Sequence, residues 1–281
     1  MKIALLISLV VSTSAFATKD VIYGEDNRVD VYASKDSALV ELSRSTAAMV
    51  PVSGLKTKGA ESVVTGKTLI SRGICESERF AKQISGANCS GFLLGEDTLV
   101  TAGHCIKDMT DCSKYRWVFD YKVDSEDQGE VTVPTTSVYT CTKIVARQLN
   151  QMNGDDYAVV KLDRKVSDRR VLAFRKSGKL KVGEGVVVIG HPTGLPTKIA
   201  DNASVRSLSG KYFVANLDTY GGNSGSAVFN AKTGEVEGIL VRGENDYNMA
   251  GSCKVSNKCE ANKCRGEDVT YITGVEGLKS L

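Results

Sequence analysis

Histidine is the scarcest chemically versatile residue of this chain, with two in 281 residues, His104 and His191. Any reaction that needs an imidazole base must use one of them. No apolar run beyond the amino terminus approaches the ~20 residues that a bilayer-spanning helix requires. An excess of one charge is also lacking: 36 basic side chains stand against 33 acidic ones, so nothing calls for nucleic acid or a membrane surface as a partner. Proline is limited to four residues and hydrophobic residues make up 42%, which suits one large domain or two small ones sharing a core. Two phosphate-binding motifs fail as well. Gly66-Lys67-Thr68 ends like a P-loop, but Glu61 stands where its first glycine belongs. Gly183-Glu184-Gly185 opens like a dinucleotide fingerprint, but Val188 replaces its third glycine.

The chain opens with Lys2, an apolar run over 3–11 and the small-x-small ending Ala15-Phe16-Ala17. That pattern predicts an export signal over 1–17, cut after Ala17, and a secreted mature chain, extracellular or periplasmic. The rival reading is an amino-terminal core helix. Removing the signal takes away only Lys2 and leaves 35 basic against 33 acidic side chains, a balance of +2. All eight cysteines fall in the exported part: Cys75, Cys89, Cys105, Cys112, Cys141, Cys253, Cys259 and Cys264. An even count outside the cytoplasm predicts disulfides. Cys253, Cys259 and Cys264 cluster as zinc ligands can, but no CxxC pair and no nearby histidine supports a metal, and none is expected.

Residues 18–70 read as an amino-terminal extension or propeptide, with a short helix over 36–48 and an extended piece over 49–52. From Cys89 onward the pattern changes to short apolar runs separated by turn residues. Runs over 89–94 and 98–102 flank Gly95-Glu96-Asp97, and runs over 227–229 and 236–241 flank 230–234, so both pairs predict β-hairpins. Further strands are expected over 115–121, 138–145, 157–162, 186–189 and 212–217, a spacing typical of sandwiches and barrels. The charged stretch 163–170 is polar enough to link a first lobe of about 71–165 to a second of about 170–281.

His104 directly follows the strand expected over 98–102, in Thr101-Ala102-Gly103-His104-Cys105, where a strand end holds an imidazole on rigid structure. His191, in Gly190-His191-Pro192, reads as a turn residue. Ser224 lies in Gly221-Gly222-Asn223-Ser224-Gly225-Ser226, whose glycines permit tight turns and close approach of a substrate. Such a loop can aim the amides of Gly222 and Ser224 at one point, an oxyanion hole. Alone, a Gly/Ser-rich loop is more often merely a turn. With a base and a carboxylate, it supplies the parts that peptide-bond hydrolysis needs.

Taken in order, Thr101-Ala102-Gly103-His104-Cys105, then Asp156-Tyr157-Ala158-Val159-Val160-Lys161-Leu162, then Gly222-Asn223-Ser224-Gly225-Ser226 resemble the trypsin-like (chymotrypsin-fold) serine proteases. The nearest likeness is to the bacterial glutamyl endopeptidase branch, whose mature start is similar to Val21-Ile22-Tyr23-Gly24-Glu25-Asp26-Asn27-Arg28 here. The resemblance implies an all-β fold of two six-stranded antiparallel β-barrels over residues 71–281, with the active site in the cleft between them. It implies a serine endopeptidase in which His104 is the general base, Asp156 the carboxylate that orients it and Ser224 the nucleophile. Asp155 is the adjacent rival. Asp156 fits better because the family's acid directly precedes an apolar-Ala-apolar strand, here Tyr157-Ala158-Val159. The resemblance further implies a monomer acting on protein or peptide substrates without a cofactor. It also implies a Cys89–Cys105 disulfide across the first hairpin, bracing the His104 turn.

Two positions depart from the pattern. Animal trypsins carry before the nucleophile an aspartate that pairs with the new amino terminus on activation, and this chain has Asn223. The glutamyl branch has a pocket-strand histidine that helps hold the substrate carboxylate, and this chain has Leu240. By the resemblance, Asp218, six residues before Ser224, forms the floor of the primary specificity pocket, with Thr219 and Gly243 lining it. A partly desolvated carboxylate there predicts cleavage after Lys or Arg. Arg242 lies close enough in sequence to neutralise Asp218 or to attract an acidic side chain, so cleavage after acidic residues is the alternative. A relative that kept the fold without the chemistry is the non-enzymatic alternative. Lipases and esterases usually run Ser, Asp, His along the chain, whereas the order here is His, Asp, Ser.

Overall fold

Two curled antiparallel sheets hold most of the strands. The computed structural model describes residues 22–126, 128–150, 154–243, 245–260 and 263–278; the export signal expected over 1–17 lies outside the described residues. The first sheet runs Val138–Tyr139, Tyr115–Phe119, Thr46–Pro51, Cys89–Gly95, Thr98–Thr101, Asp155–Leu162, Cys141–Asn150. In the second sheet the order is Gly185–Gly190, Ala227–Asn230, Val236–Arg242, Glu267–Tyr271, Tyr212–Ala215, Lys198–Leu208. Lys198–Leu208 pairs back onto Gly185–Gly190 and closes a six-stranded barrel, while Arg28–Asp30 is added along its other edge. The chain therefore has the all-β, two-barrel architecture that the resemblance implied. Among the described residues no helix is long and apolar enough to cross a membrane.

Both hairpins form where alternation placed them: Cys89–Gly95 pairs with Thr98–Thr101, and Ala227–Asn230 with Val236–Arg242. Their inward residues meet between the sheets. One core cluster holds Phe92, Leu99, Trp117 and Val159 from the first sheet together with Ile189, Phe229 and Ile239 from the second. Each such large apolar side chain, fully buried, stabilises the fold by about 1.5–3 kcal/mol. That shared core fixes the two lobes against each other.

The amino-terminal region is not an appendage. Residues 22–64 supply Arg28–Asp30 to the second barrel and place Thr46–Pro51 in the middle of the first sheet, between Tyr115–Phe119 and Cys89–Gly95. The fold makes no division at residue 70, because Thr46–Pro51 carries two ladders that the first sheet needs. The helix expected over 36–48 is shorter, Ser37–Ser43. Asp36 caps it by accepting from the Ala38 and Leu39 amides. Beyond Ser43 strand pairing overrides helix propensity.

Lys198–Leu208 and Glu267–Tyr271 escape the sequence pattern. Asp201 and Asn202 interrupt the first with exposed polar residues, and Asn202 adopts φ 59° at a register shift opposite Val186 and Val188. The second opens with two buried acids, Glu267 and Asp268. The stretch 163–170 has no regular structure. Arg169 is nonetheless buried within it, paired to Asp168 at 2.6 Å and Asp120 at 2.9 Å.

The cysteines form four disulfides: Cys75–Cys253, Cys89–Cys105, Cys112–Cys141 and Cys259–Cys264. Cys89–Cys105 is the implied pair. The sulfurs of Cys253, Cys259 and Cys264 are all consumed by these bonds and are not available as thiolate ligands.

Candidate active site

His104 stands in the turn that leaves Thr98–Thr101, and Cys105 bonds that turn back to Cys89 on the neighbouring strand. Asp156 lies near the start of Asp155–Leu162, the strand paired with Thr98–Thr101, so one ladder carries both groups. The Asp156 carboxylate is buried. Its Oδ2 lies 2.8 Å from His104 Nδ1, and its Oδ1 accepts the His104 backbone amide at 3.0 Å. A carboxylate facing Nδ1 assigns the proton to that nitrogen and leaves Nε2 as the acceptor, the tautomer a general base requires. Asp155 points elsewhere, with Lys211 Nζ at 3.4 Å.

The Ser224 loop comes from the second barrel and docks on the first. The Ser90 amide donates to the Ser224 carbonyl at 2.8 Å, and Cys105 Sγ lies 3.7 Å from the same oxygen. Gly225 makes this docking possible. It adopts φ +86°, and a Cβ there would meet the Ser90 carbonyl at 2.1 Å and Thr101 Oγ1 at 2.3 Å. Buried Asn223 accepts from Ser226 Oγ at 3.0 Å, so the neutral residue before Ser224 braces the loop internally. Among the described residues, neither the Gly222 nor the Ser224 amide donates to another backbone carbonyl, which leaves both as candidate oxyanion donors.

Beside Ser224 a cleft of about 280 Å³ is lined by Thr219, Leu240, Arg242, Gly243, Asp246 and Glu267, among others. Thr219 and Gly243, expected to line a specificity pocket, both line this cleft. Asp218 is not in this lining. Its Oδ1 accepts the Tyr23 amide and its Oδ2 the Asn27 amide, each at 2.8 Å, so it fastens the amino-terminal segment. Burial pushes its pKa up to about 6 despite those two amides. Asp218 therefore does not form the floor of this cleft; the carboxylates that line it are Asp246 and Glu267, which the sequence reading missed.

Glu267 Oε1 accepts from the Tyr23 hydroxyl at 2.8 Å. Its Oε2 would lie 1.9 Å from a Cβ on Gly243, so only glycine leaves room for it. Arg242 is drawn aside to Asp268, Nε to Oδ2 at 3.0 Å. Tyr220 lies under the guanidinium of buried Arg28 at 4.2 Å, and Arg28 pairs with Asp26 at 2.7 Å. No local signal marked Glu267, because its partner Tyr23 belongs to the opposite end of the chain.

His191 leads into the short turn Pro192–Gly194, as expected, and is fully buried. Its Nδ1 donates to the Leu195 carbonyl at 3.1 Å, its ring stacks on Tyr121, and burial lowers its pKa to about 3. The sulfurs of Cys89 and Cys105 approach the His104 ring as a metal trio could, but as a disulfide they are not thiolates.

Residues 89–239 match the family model of the trypsin-like peptidase domain. The chain belongs to the trypsin-like peptidase family. It is 26% identical over 171 residues to a glutamyl endopeptidase of Staphylococcus aureus strain MW2, covering 57% of this chain and 49% of that protein. A probable periplasmic serine endoprotease, DegP-like, of Hahella chejuensis is 36% identical over 104 residues, 34% of this chain and 22% of that one. The chain thus spans about half the length of the glutamyl endopeptidase it matches. Among solved structures, a Glu endopeptidase in complex with MPD superposes with TM-score 0.50 at 19% identity, covering 86% of this chain and 94% of the other. Vibrio cholerae VesB protease does so with TM-score 0.53 at 16% identity, covering 88% and 64%. At these identities the solved structures speak for the fold alone.

Proposed function

We propose that this protein is an exported serine endopeptidase, acting as a monomer on protein or peptide chains and cleaving after Lys or Arg through an acyl-enzyme. The observation that carries the reading is the His104–Asp156 pair, held at both Nδ1 and the backbone amide, on the turn against which the Ser224 loop docks. Ser224 Oγ attacks the scissile carbonyl while His104 Nε2 takes its proton. The amides of Gly222 and Ser224 receive the developing oxyanion, and Asp156 stabilises the imidazolium. His104 then protonates the leaving amine, and water clears the acyl-enzyme by the same steps in reverse order.

Glu267 supports the basic preference. A cationic side chain entering past Gly243 meets a carboxylate buried to 2% exposure, a contact that no neutral residue can match. Cleavage after acidic residues is the second reading, favoured by the glutamyl endopeptidase relatives and by Arg242 in the cleft wall. Against it, the Arg242 guanidinium already faces Asp268. A fluorophosphonate probe that labels Ser224, together with a peptide-library digest cut after Lys or Arg, is the expected result. Cuts after Glu or Asp would select the second reading, and no labelling of folded protein would leave a silent relative.

A further inference from the structure

A second, larger cleft of about 820 Å³ adjoins the first at Gly221 and Asp246, which line both. It reaches Gly222, Ala87 and Asn88. Ala87 and Asn88 directly precede Cys89, whose bond to Cys105 ties them to the turn of His104, the group that hands a proton to the leaving amine. With the acyl-side residue in the Glu267 cleft, the residues released with that amine leave along this second one.

Its charge has the opposite sign. Among the described residues, the titratable groups on its walls are Lys67, Arg72 and Lys254 against Asp246, with Tyr247 neutral. Arg72 is held in place by neutral acceptors: Nη1 donates to the Thr193 carbonyl at 3.2 Å and to Ser85 Oγ. Lys254 is fixed through its backbone. It donates to the Gly73 carbonyl and accepts from the Cys75 amide, both at 2.9 Å, and the Cys75–Cys253 disulfide locks the two walls together. Against these three cations stands Asp246, whose Oδ2 accepts the Gly221 amide at 2.9 Å.

We propose that this cleft is a basic subsite, with Arg72 and Lys254 as its determinants, that selects Asp or Glu among the first residues after the scissile bond. The inference rests on the protease reading above. It makes the preferred substrate an electrically polar sequence, a cation before the cut and an anion after it.

The test uses peptides with one common acyl side and three residues after the cut that are acidic, neutral or basic. Two exposed ion pairs set the expected gain of acidic over neutral peptides at about 2- to 30-fold in kcat/KM. That gain shrinks in about 0.5 M salt as the exposed cations are screened. Arg72→Ala with Lys254→Ala brings the ratio close to one, and Arg72→Lys with Lys254→Arg keeps it. The ratio is internal to each variant, so a loss of folded enzyme does not imitate the effect. Equal rates for acidic and neutral peptides in the wild type, or an acidic preference that survives the double alanine change, overturns the subsite. Binding of the same peptides to Ser224→Ala, read by fluorescence anisotropy, separates the two readings. If wild-type Ser224 neither labels nor cuts, the protease reading fails, and the anisotropy series still decides whether the acidic peptides are selected.

Discussion

The Tyr23 hydroxyl donates a 2.8 Å hydrogen bond to Oε1 of Glu267, joining residues 244 positions apart in the chain. The amino-terminal segment therefore holds a carboxylate of the candidate specificity cleft, and Asp218 anchors that segment through the Tyr23 and Asn27 amides. The two carboxylates differ in setting: Glu267 lines the cleft beside Ser224, and Asp218 holds the segment whose Tyr23 hydroxyl bonds Glu267.

Glu267→Gln is expected to lower kcat/KM for Lys and Arg peptides about 10- to 100-fold, since a hydrogen bond to a charged group contributes about 1.5–3 kcal/mol. Gly243→Ala, which sets a methyl group against Oε2, lowers the same rates mainly through KM. Asp218→Asn weakens the fold but keeps the order of preference. A kinetic panel over Lys, Arg, Gln and Glu peptides checks all three. If Asp218→Asn erases the preference while Glu267→Gln preserves it, the assignment is reversed.

The two adjacent aspartates should separate cleanly. Asp156→Asn replaces the acceptor for His104 Nδ1–H with a group that favours the wrong tautomer, and kcat is expected to fall about 10⁴-fold. Asp155→Asn loosens a partly exposed contact with Lys211 and leaves His104 its carboxylate, so activity stays within a few-fold of wild type. Ser224→Ala and His104→Ala each remove nearly all proteolysis. Steady-state kinetics on one good peptide, with circular dichroism to verify folding, makes the comparison.

Replacing Cys89 and Cys105 together by serine opens a loop of about 15 residues, worth about 3 kcal/mol in the chain-entropy model. The turn that carries His104 is also released from its neighbouring strand, so activity should decline at temperatures where the variant is still folded. Urea unfolding followed alongside activity distinguishes the two effects. An unchanged midpoint would mean that the ladder between Cys89–Gly95 and Thr98–Thr101 holds the turn unaided.

What the sequence made legible was what is local. The hairpin at 89–102 and the Ser224 loop announce themselves through alternation and glycine, and His104 follows a strand that pairs with the one carrying Asp156. Glu267 was illegible because a buried acid is explained only by its partners, and Tyr23 is remote in the chain. Arg28–Asp30 and Thr46–Pro51 were read as parts of an extension because each is too short or too featureless alone, and each becomes a strand by pairing with distant segments. Asp218 misled for the related reason that its sequence offset from Ser224 says nothing about which amides reach it.

The last prediction concerns acid. His191 has its folded pKa lowered to about 3, from an ordinary 6.5, by burial. As pH falls through that window the unfolded chain takes a proton that the fold refuses, so stability drops, by about 5 kcal/mol in total at 1.36 kcal/mol per unit. Asp218 acts with the opposite sign. Its folded pKa is raised to about 6, from 3.8, so between those values the fold keeps a proton that the unfolded chain releases, and stability falls as pH rises. That effect amounts to about 3 kcal/mol. Between about pH 4 and 6 the two slopes offset each other. Relative to wild type, His191→Phe should therefore gain stability as pH is lowered from 6.5, and Asp218→Asn should lose it between 6 and 4. Urea midpoints for the three proteins at half-unit steps from pH 4 to 7 read the differences directly, with all other titrating groups cancelling. Parallel curves for His191→Phe and wild type would mean that His191 titrates alike in the folded and unfolded chain, contrary to its burial against Tyr121.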